Sequence, residues 1–486
     1  AQVGVDGMVN AESSVEALVT DLRRQGGITV RTNYDPLRDI WTDRPSVPDN
    51  KVVIQPLEYA GESTSQKIVR VRKALRQQHA DGMLVSALDE VAWLLNLRGS
   101  DVHCNPVFVA YVIISTSDVT LYINKEKLTP EVVSYLASEG VGVRDYNEVE
   151  KGLKDYFEYN ILMDPHQTCY TLYNKVHVQE IVRRPSPIAA MKAVKNAAEI
   201  AGFRKAMLRD GVAMVEFLKW LKPAVVAGGQ TEMSIDRKLT ALRAAQPLFK
   251  DISFDTIAGY GPHGAIVHYE ATPETDAVIE PRGFLLLDSG AQYQDGTTDI
   301  TRTIPLGPLT DEERKVYTLV LKGHIQLELC KFPDGASGTQ IDALGREAMW
   351  REGMNYLHGT GHGVGAYLNV HEGPHQIRMD YMPAPLHAGM TVTDEPGLYL
   401  TGKFGVRIEN TLIIQPYCHT EFGDFLKMDS LTLCPIDTAP IIREMLTTEE
   451  VNWLNEYHRR VFDELSPLLT DESTVEWLRE ATKEIE

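Results

Sequence analysis

Two aspartates lie in the stretch Leu285-Leu-Leu-Asp288-Ser-Gly-Ala-Gln-Tyr-Gln-Asp-Gly-Thr-Thr-Asp299-Ile-Thr-Arg-Thr. With Phe284 it opens as an apolar run, the pattern of a buried strand. It closes as a β-prone, roughly alternating segment, and Asp295-Gly296 gives a turn signal within the intervening Gln292 to Gly296. The stretch predicts a hairpin. Asp288 and Asp299 are eleven residues apart. An odd separation across an even loop puts both carboxylates on one face. Two carboxylates on adjacent strands repel unless a cation or a proton lies between them. Asp288 follows three leucines and is expected to be half-buried, so the chain must supply that neutralisation. The plainer alternative is a solvated turn carrying surface acids.

Four further pieces carry matching chemistry. Leu357-His358-Gly-Thr-Gly-His362-Gly-Val-Gly365 has four glycines that let the backbone approach something closely. It lacks the Lys-Ser/Thr pair of a phosphate loop, so its histidines read better as a ligand and a substrate contact. The others are Asn369-Val-His371-Glu-Gly-Pro374, Thr393-Asp-Glu395-Pro-Gly-Leu-Tyr399 and Gly405-Val-Arg407-Ile-Glu409-Asn410. Arg407 and Glu409 share a strand face, with Ile408 on the other. Upstream, Gly259 to Tyr269 predicts a loop leading into a strand that carries His268. If Asp288, Asp299, His362, Glu395 and Glu409 converge, four carboxylates and one imidazole balance two divalent cations. Oxygen-rich ligation points to Mn²⁺, with Co²⁺, Fe²⁺ or Zn²⁺ as alternatives. No Cys-x-x-Cys offers a rival thiolate site. A pair of cations would share a hydroxide and clamp both ends of a displacement. Taken singly, each acid reads as a surface residue, His371 as a structural histidine, Tyr399 as core and Arg407 as a partner of Glu409's neighbours. Glu372 is left outside the ligand set as a loop or supporting residue.

Positioning these residues takes an α+β framework. Residues 1–45 predict a helix over Ser13 to Arg24 and a strand at Ile28 to Arg31, followed by a linker at Asp43 to Asn50. An α/β unit follows over 46–184. Its helices are expected at Ser65 to His79 and Leu88 to Leu95, and its strands at Gly82 to Ser86, Val107 to Ser115 and Val119 to Asn124. Asp101 and His103 read as loop or structural residues. Arg184-Pro-Ser-Pro187 marks a boundary, because each proline biases its predecessor away from helix. Residues 185–446 form the third segment. Asn196 and Glu199 make a capping box for a long helix with Ala201, Ala206, Val212 and Phe217 as a rough buried stripe. Helices are expected over Thr231 to Arg243, Asp311 to Cys330 and Ile341 to Glu352. Strands are expected over Phe254 to Ala258, Thr391 to Asp394 and Val406 to Ile414. Hairpins between helices favour α+β over a doubly wound sheet. The 447–486 tail opens with a Thr447/Glu450 capping box and an amphipathic stripe of Val451, Leu454, Tyr457, Val461 and Leu465, with a short helix at Trp477.

The 486 residues exceed one core and suggest two or three domains. A net charge of −20 argues against nucleic acid and anionic membranes as partners. No apolar stretch reaches membrane-spanning length, and neither a secretory nor a lipidation signal is expected from the ends. Five scattered cysteines favour reduced thiols and a cytoplasmic setting.

The site segments, together with Ile266-Val-His268-Tyr, resemble those of the pita-bread metallopeptidases, most closely the eukaryotic cytosolic-type aminopeptidase P family. The likeness continues in Asp89-Glu-Val-Ala-Trp-Leu-Leu-Asn-Leu-Arg-Gly-Ser-Asp101, in Asn105-Pro-Val-Phe and in Trp453-Leu-Asn-Glu-Tyr-His458. It implies a pita-bread catalytic domain after a smaller α/β creatinase-N-like domain. Residues 1–45 resemble only the end of a further preceding domain, so a short or truncated form is expected. The implied reaction removes the first residue from peptides with proline second. Asp288, Asp299, His362, Glu395 and Glu409 would ligate two metals, with Asp299 and Glu409 bridging. His268 and His371 would handle protons, His358 would contact substrate near the proline, and Tyr399 and Arg407 would support the ligands or touch substrate. A homodimer is implied. The alternatives are a prolidase-type Xaa-Pro dipeptidase, a metal-free creatinase-type hydrolase, which would lack the five ligands, and an inactive peptide- or histone-binding module.

Overall fold

The structure, a computed structural model, describes all residues Ala1–Glu486. The chain forms two compact units, Ala1–Lys192 and Ala193–Glu486. In the first, helix Glu12–Gly26 joins the short parallel strands Gln2–Gly4 and Thr29–Arg31, where a helix and a strand are expected. Residues 43–52 carry no regular element, matching the linker. A six-stranded mixed sheet follows. Its order is Glu180–Arg183, Asn160–Met163, Met83–Val85, Ala110–Ile114, Val119–Ile123 and Gly142–Asp145. Helix Thr64–Gln77 begins at a Ser63/Gln66 capping box and buries Ile68, Val71 and Leu75. The strand expected from Val107 starts only at Ala110, so Val107 to Val109 lie outside it. Asp101 is structural as expected: it pairs with buried Lys127 and accepts from the Val109 amide at 2.7 Å.

In the second unit, α1 (Ala197–Ala227) starts at the Asn196/Glu199 capping box. Ala206, Val212 and Phe217 are buried on it, whereas Ala201 is exposed. Both α1 and α2 (Glu232–Ala244) pack on an antiparallel sheet of β1 (Ile257–Tyr260), β2 (Phe284–Ser289) and β3 (Ile300–Pro305). Leu285 and Leu287 face Phe217, Leu221, Ile235 and Leu239, which fixes the register of β2 by its apolar alternation. The expected hairpin is present, but its connection is more structured than a loop. Ala291–Tyr293 and Gly296–Thr297 form an inner hairpin, and the first of these pairs with Phe249–Ile252. The strand expected at Phe254 lies three residues later, in β1.

The remaining helices are α3 (Asp311–Glu328), α4 (Gly338–Trp350), α5 (Thr448–Leu465) and α6 (Glu472–Ala481). α3 and α4 cross at Gly323, where an added Cβ would lie 2.2 Å from the Gly345 carbonyl oxygen. All five residues of the expected α5 stripe are buried, in a core shared with Val316, Tyr317 and Val320 of α3. A second sheet holds β6 (Thr391–Asp394), β8 (Asn410–Thr420) and β9 (Gly423–Ser430), with Lys331–Pro333 at its edge. Between the sheets run β4 (Gly361–Gly363) paired with β5 (Glu372–Ile377), and Gly397–Leu400 paired with β7 (Phe404–Arg407). Hairpins dominate, and the unit is α+β.

Candidate metal centre

The strands bring Asp288, Asp299, His362, Glu395 and Glu409 to one cleft of about 480 Å³. Asp288 is opposite Thr301 in the β2/β3 ladder, and Asp299 is two residues before Thr301, so both aspartates share a face. The chain leaving β7 returns to β3 at Glu409, whose amide donates to the Thr301 carbonyl at 3.0 Å. The Thr301 hydroxyl donates to Glu409 Oε2 at 2.7 Å. Glu395 follows β6, and its amide donates to the Thr360 carbonyl at 2.7 Å. Gly361 permits this approach: a Cβ there would lie 1.9 Å from the Thr393 carbonyl oxygen.

The ligand-type atoms form overlapping groups. One oxygen each of Asp288, Asp299 and Glu409 lie within 4.8 Å of one another, and so do atoms of His362, Glu395 and Glu409. Glu409 belongs to both. His362 Nδ1 donates to the Gly363 carbonyl at 2.8 Å. That fixes the tautomer and turns Nε2 toward Asp299 Oδ2 at 3.3 Å and Glu395 Oε1 at 3.5 Å. Burial drives up the carboxyl groups, Asp288 to about 6 and Glu395 to about 7, with Asp299 adding like-charge repulsion to both. Glu409 is also raised, by burial first and then by Asp299 and Glu395. Burial disfavours the His362 imidazolium, but Asp299 and Glu395 outweigh it and lift its pKa to about 9. Asp288 Oδ1 and Glu409 Oε1 are buried without hydrogen-bond partners. Such a set either holds protons or holds cations, and its unsatisfied oxygens suit hard divalent ions.

Arg407 underpins the cluster. Its guanidinium grips Asp288 Oδ2 through Nη2 at 2.7 Å and Nε at 3.2 Å. Nη1 donates to the Tyr399 hydroxyl at 2.6 Å, which donates in turn to His358 Nε2 at 2.8 Å. His358 Nδ1 donates to the Gly359 carbonyl at 2.7 Å. Burial and the Arg407 cation hold His358 at about 4, so it is neutral at pH 7. His371 stacks edge-on to His362, with ring centroids 4.1 Å apart. His268 also lines the cleft, but from the turn after Gly261–Ala265 rather than from the expected strand. Glu372 points away from the cluster and pairs with buried Lys195.

Sequence reading missed Thr301, Gln376 and Arg378. Thr301 had a signal, since it alternates with Asp299 on a β-prone segment. Gln376 and Arg378 had none, because their access depends on the β4/β5 register, which sets Gln376 opposite His362.

Three family patterns match in succession: the creatinase/prolidase N-terminal domain over 43–199, metallopeptidase family M24 over 201–416, and the C-terminal region of peptidase M24 over 424–485. The aminopeptidase P1 of Lotus japonicus is 38% identical over 552 residues, covering 100% of this chain and 84% of that one. A crystal structure of an X-prolyl aminopeptidase from Caenorhabditis elegans, described as a cytosolic enzyme with a di-nuclear active site, is 35% identical with a TM-score of 0.95. The match covers 100% of this chain and 81% of that one. An Xaa-Pro dipeptidase from Bacillus anthracis, 24% identical with a TM-score of 0.62 over 77% of this chain and 99% of its own, shares the fold. The chain belongs to metallopeptidase family M24, and its second unit has the pita-bread fold of that family.

Proposed function

We propose that the chain is a dinuclear metallo-aminopeptidase that releases the first residue from peptides with proline at the second position. The observation that carries this reading is the pair of overlapping ligand groups that share Glu409. Asp288, Asp299, His362, Glu395 and Glu409 would hold two divalent ions, and their oxygen-rich donor set favours Mn²⁺. Bound there, the ions would polarise the scissile carbonyl and make water nucleophilic near neutral pH.

The protein's own groups supply the rest. An Xaa-Pro bond has no N–H, so a site for it cannot depend on that donor. The carboxylate-rich floor attracts the substrate's free amino group. His371 and His268 line the same cleft, and an imidazole can hand a proton to the departing proline nitrogen. Arg407 keeps Asp288 oriented and, through Tyr399, holds the His358 ring at the wall where a proline ring would pack. The five free cysteines agree with a cytosolic setting. The reading includes the homodimer implied by the family resemblance, which sedimentation would check.

The test is turnover of an Xaa-Pro tripeptide after chelation and Mn²⁺ add-back, alongside Asp299→Ala. Activity should vanish on chelation, return with Mn²⁺ and stay absent in the variant. Full activity in the presence of chelator would sink the proposal.

A further inference from the structure

Building on the peptidase reading, we propose that Arg378 is a specificity residue that takes a substrate carboxylate beyond the proline. Its placement follows from the register. Gln376 stands opposite His362 across β4 and β5, and Arg378 lies two residues on. Ile377 and His375 are buried behind them, while Gln376 and Arg378 are half-exposed and line the cleft. Two residues along a strand advance roughly 7 Å, about two residues of an extended peptide. A Cβ on Gly359 would meet Arg378 Cβ at 3.7 Å, so Arg378 sits just past His358 and the wall assigned to the proline.

The charge pattern gives this position its meaning. The cleft is lined by acids, among them Asp255, Glu270 and the four carboxylates of the cluster. Its other guanidinium, Arg407, is committed to Asp288 and Tyr399. Arg378 leans on Gln376 Oε1 at 3.1 Å and on Asp380, whose side chain is 76% exposed. So exposed a pair contributes little and is readily exchanged. Arg378 Nε is buried with no hydrogen-bond partner. A carboxylate that takes the place of Asp380 on the terminal guanidinium nitrogens would gain charge-assisted contact. The carboxylate could be the C-terminus of a short peptide or an acidic side chain at the third position.

The experiment uses the full chain loaded with Mn²⁺ and three peptides: Gly-Pro-Ala, its C-terminal amide, and Gly-Pro-Glu amide. The expected ratio of kcat/KM for acid over amide is about 10 and resides in KM, the scale of one charge-assisted contact. Arg378→Gln should bring the ratio to about 1, Arg378→Lys should leave it intermediate, and Asp380→Asn should raise it. Recovery of the preference by Gly-Pro-Glu amide would assign it to an acidic third residue, and its absence to the C-terminus. A ratio near 1 in the wild type, or one that survives Arg378→Gln, would overturn the proposal. If no peptide turns over, the peptidase reading itself fails. Calorimetric affinities for the same acid and amide then read Arg378 separately, on the same ratios.

Discussion

The Thr301 hydroxyl is the clearest case of a small group with a large expected effect. It donates to Glu409 Oε2, the carboxylate shared by both ligand groups. Groups that orient metal ligands typically govern affinity by about 10- to 100-fold. Thr301→Val keeps the shape and deletes the donor, so Mn²⁺ affinity measured by calorimetry should fall by that range while the fold persists. An unchanged affinity would show that Glu409 needs no such support. Arg243 is a residue of a different kind. It grips Asp210 in the core at 2.9 and 3.1 Å, and the Tyr293 hydroxyl adds a third bond to that carboxylate at 3.0 Å. Arg243→Ala strands a buried charge and should cost about 3–5 kcal/mol in urea denaturation. A loss under 1 kcal/mol would mean that water or a neighbour replaces it.

At the scale of elements, the glycines at close crossings set the geometry of the centre. Gly361→Ala would press against the Thr393 carbonyl and push β4 from β6. His362 sits on the first strand and Glu395 follows the second. The expected result is weaker Mn²⁺ binding with secondary structure intact by circular dichroism. Binding equal to the wild type would show that the strands move together. Elements were legible in the sequence where their causes are local. The capping boxes at Asn196 and Thr447 and the buried stripe of α5 depend on residues within a turn or two. The shared face of Asp288 and Asp299 follows from strand parity alone. The inner hairpin was hidden because Ala291–Tyr293 pairs with Phe249–Ile252, a partner outside the stretch. His268 was misplaced on a strand because apolar Ile266 and Val267 mimic β-pattern inside a turn. The Arg407–Asp288 grip joins residues 119 apart, which no local pattern reveals. The same holds for Arg378, whose exposure to the cleft is a product of register.

For the whole molecule, stability and catalysis should respond to different groups. Glu90, in the first unit, is buried and accepts from the Ser186 hydroxyl. Burial raises its pKa to about 7, an effect only partly offset by that bond. The unfolded chain loses this proton at lower pH than the folded one does. The folded state is therefore favoured at low pH by this group, and the advantage is lost as pH rises from the ordinary carboxylate range to about 7. The loss is roughly 3 kcal/mol at most. Glu90→Gln should flatten the stability profile in that window, as read by urea midpoints at several pH values. A profile unchanged by the substitution would contradict the assignment. The net charge of −20 adds a general self-repulsion that salt should relieve.

Asp288, Asp299, His362, Glu395 and Glu409 are proposed to hold two cations jointly. Anomalous diffraction from crystals grown with Mn²⁺ tests it most directly. Two peaks roughly 3.5–4 Å apart, with Glu409 touching both, are the predicted result. A single peak, or none within reach of those five side chains, would contradict it.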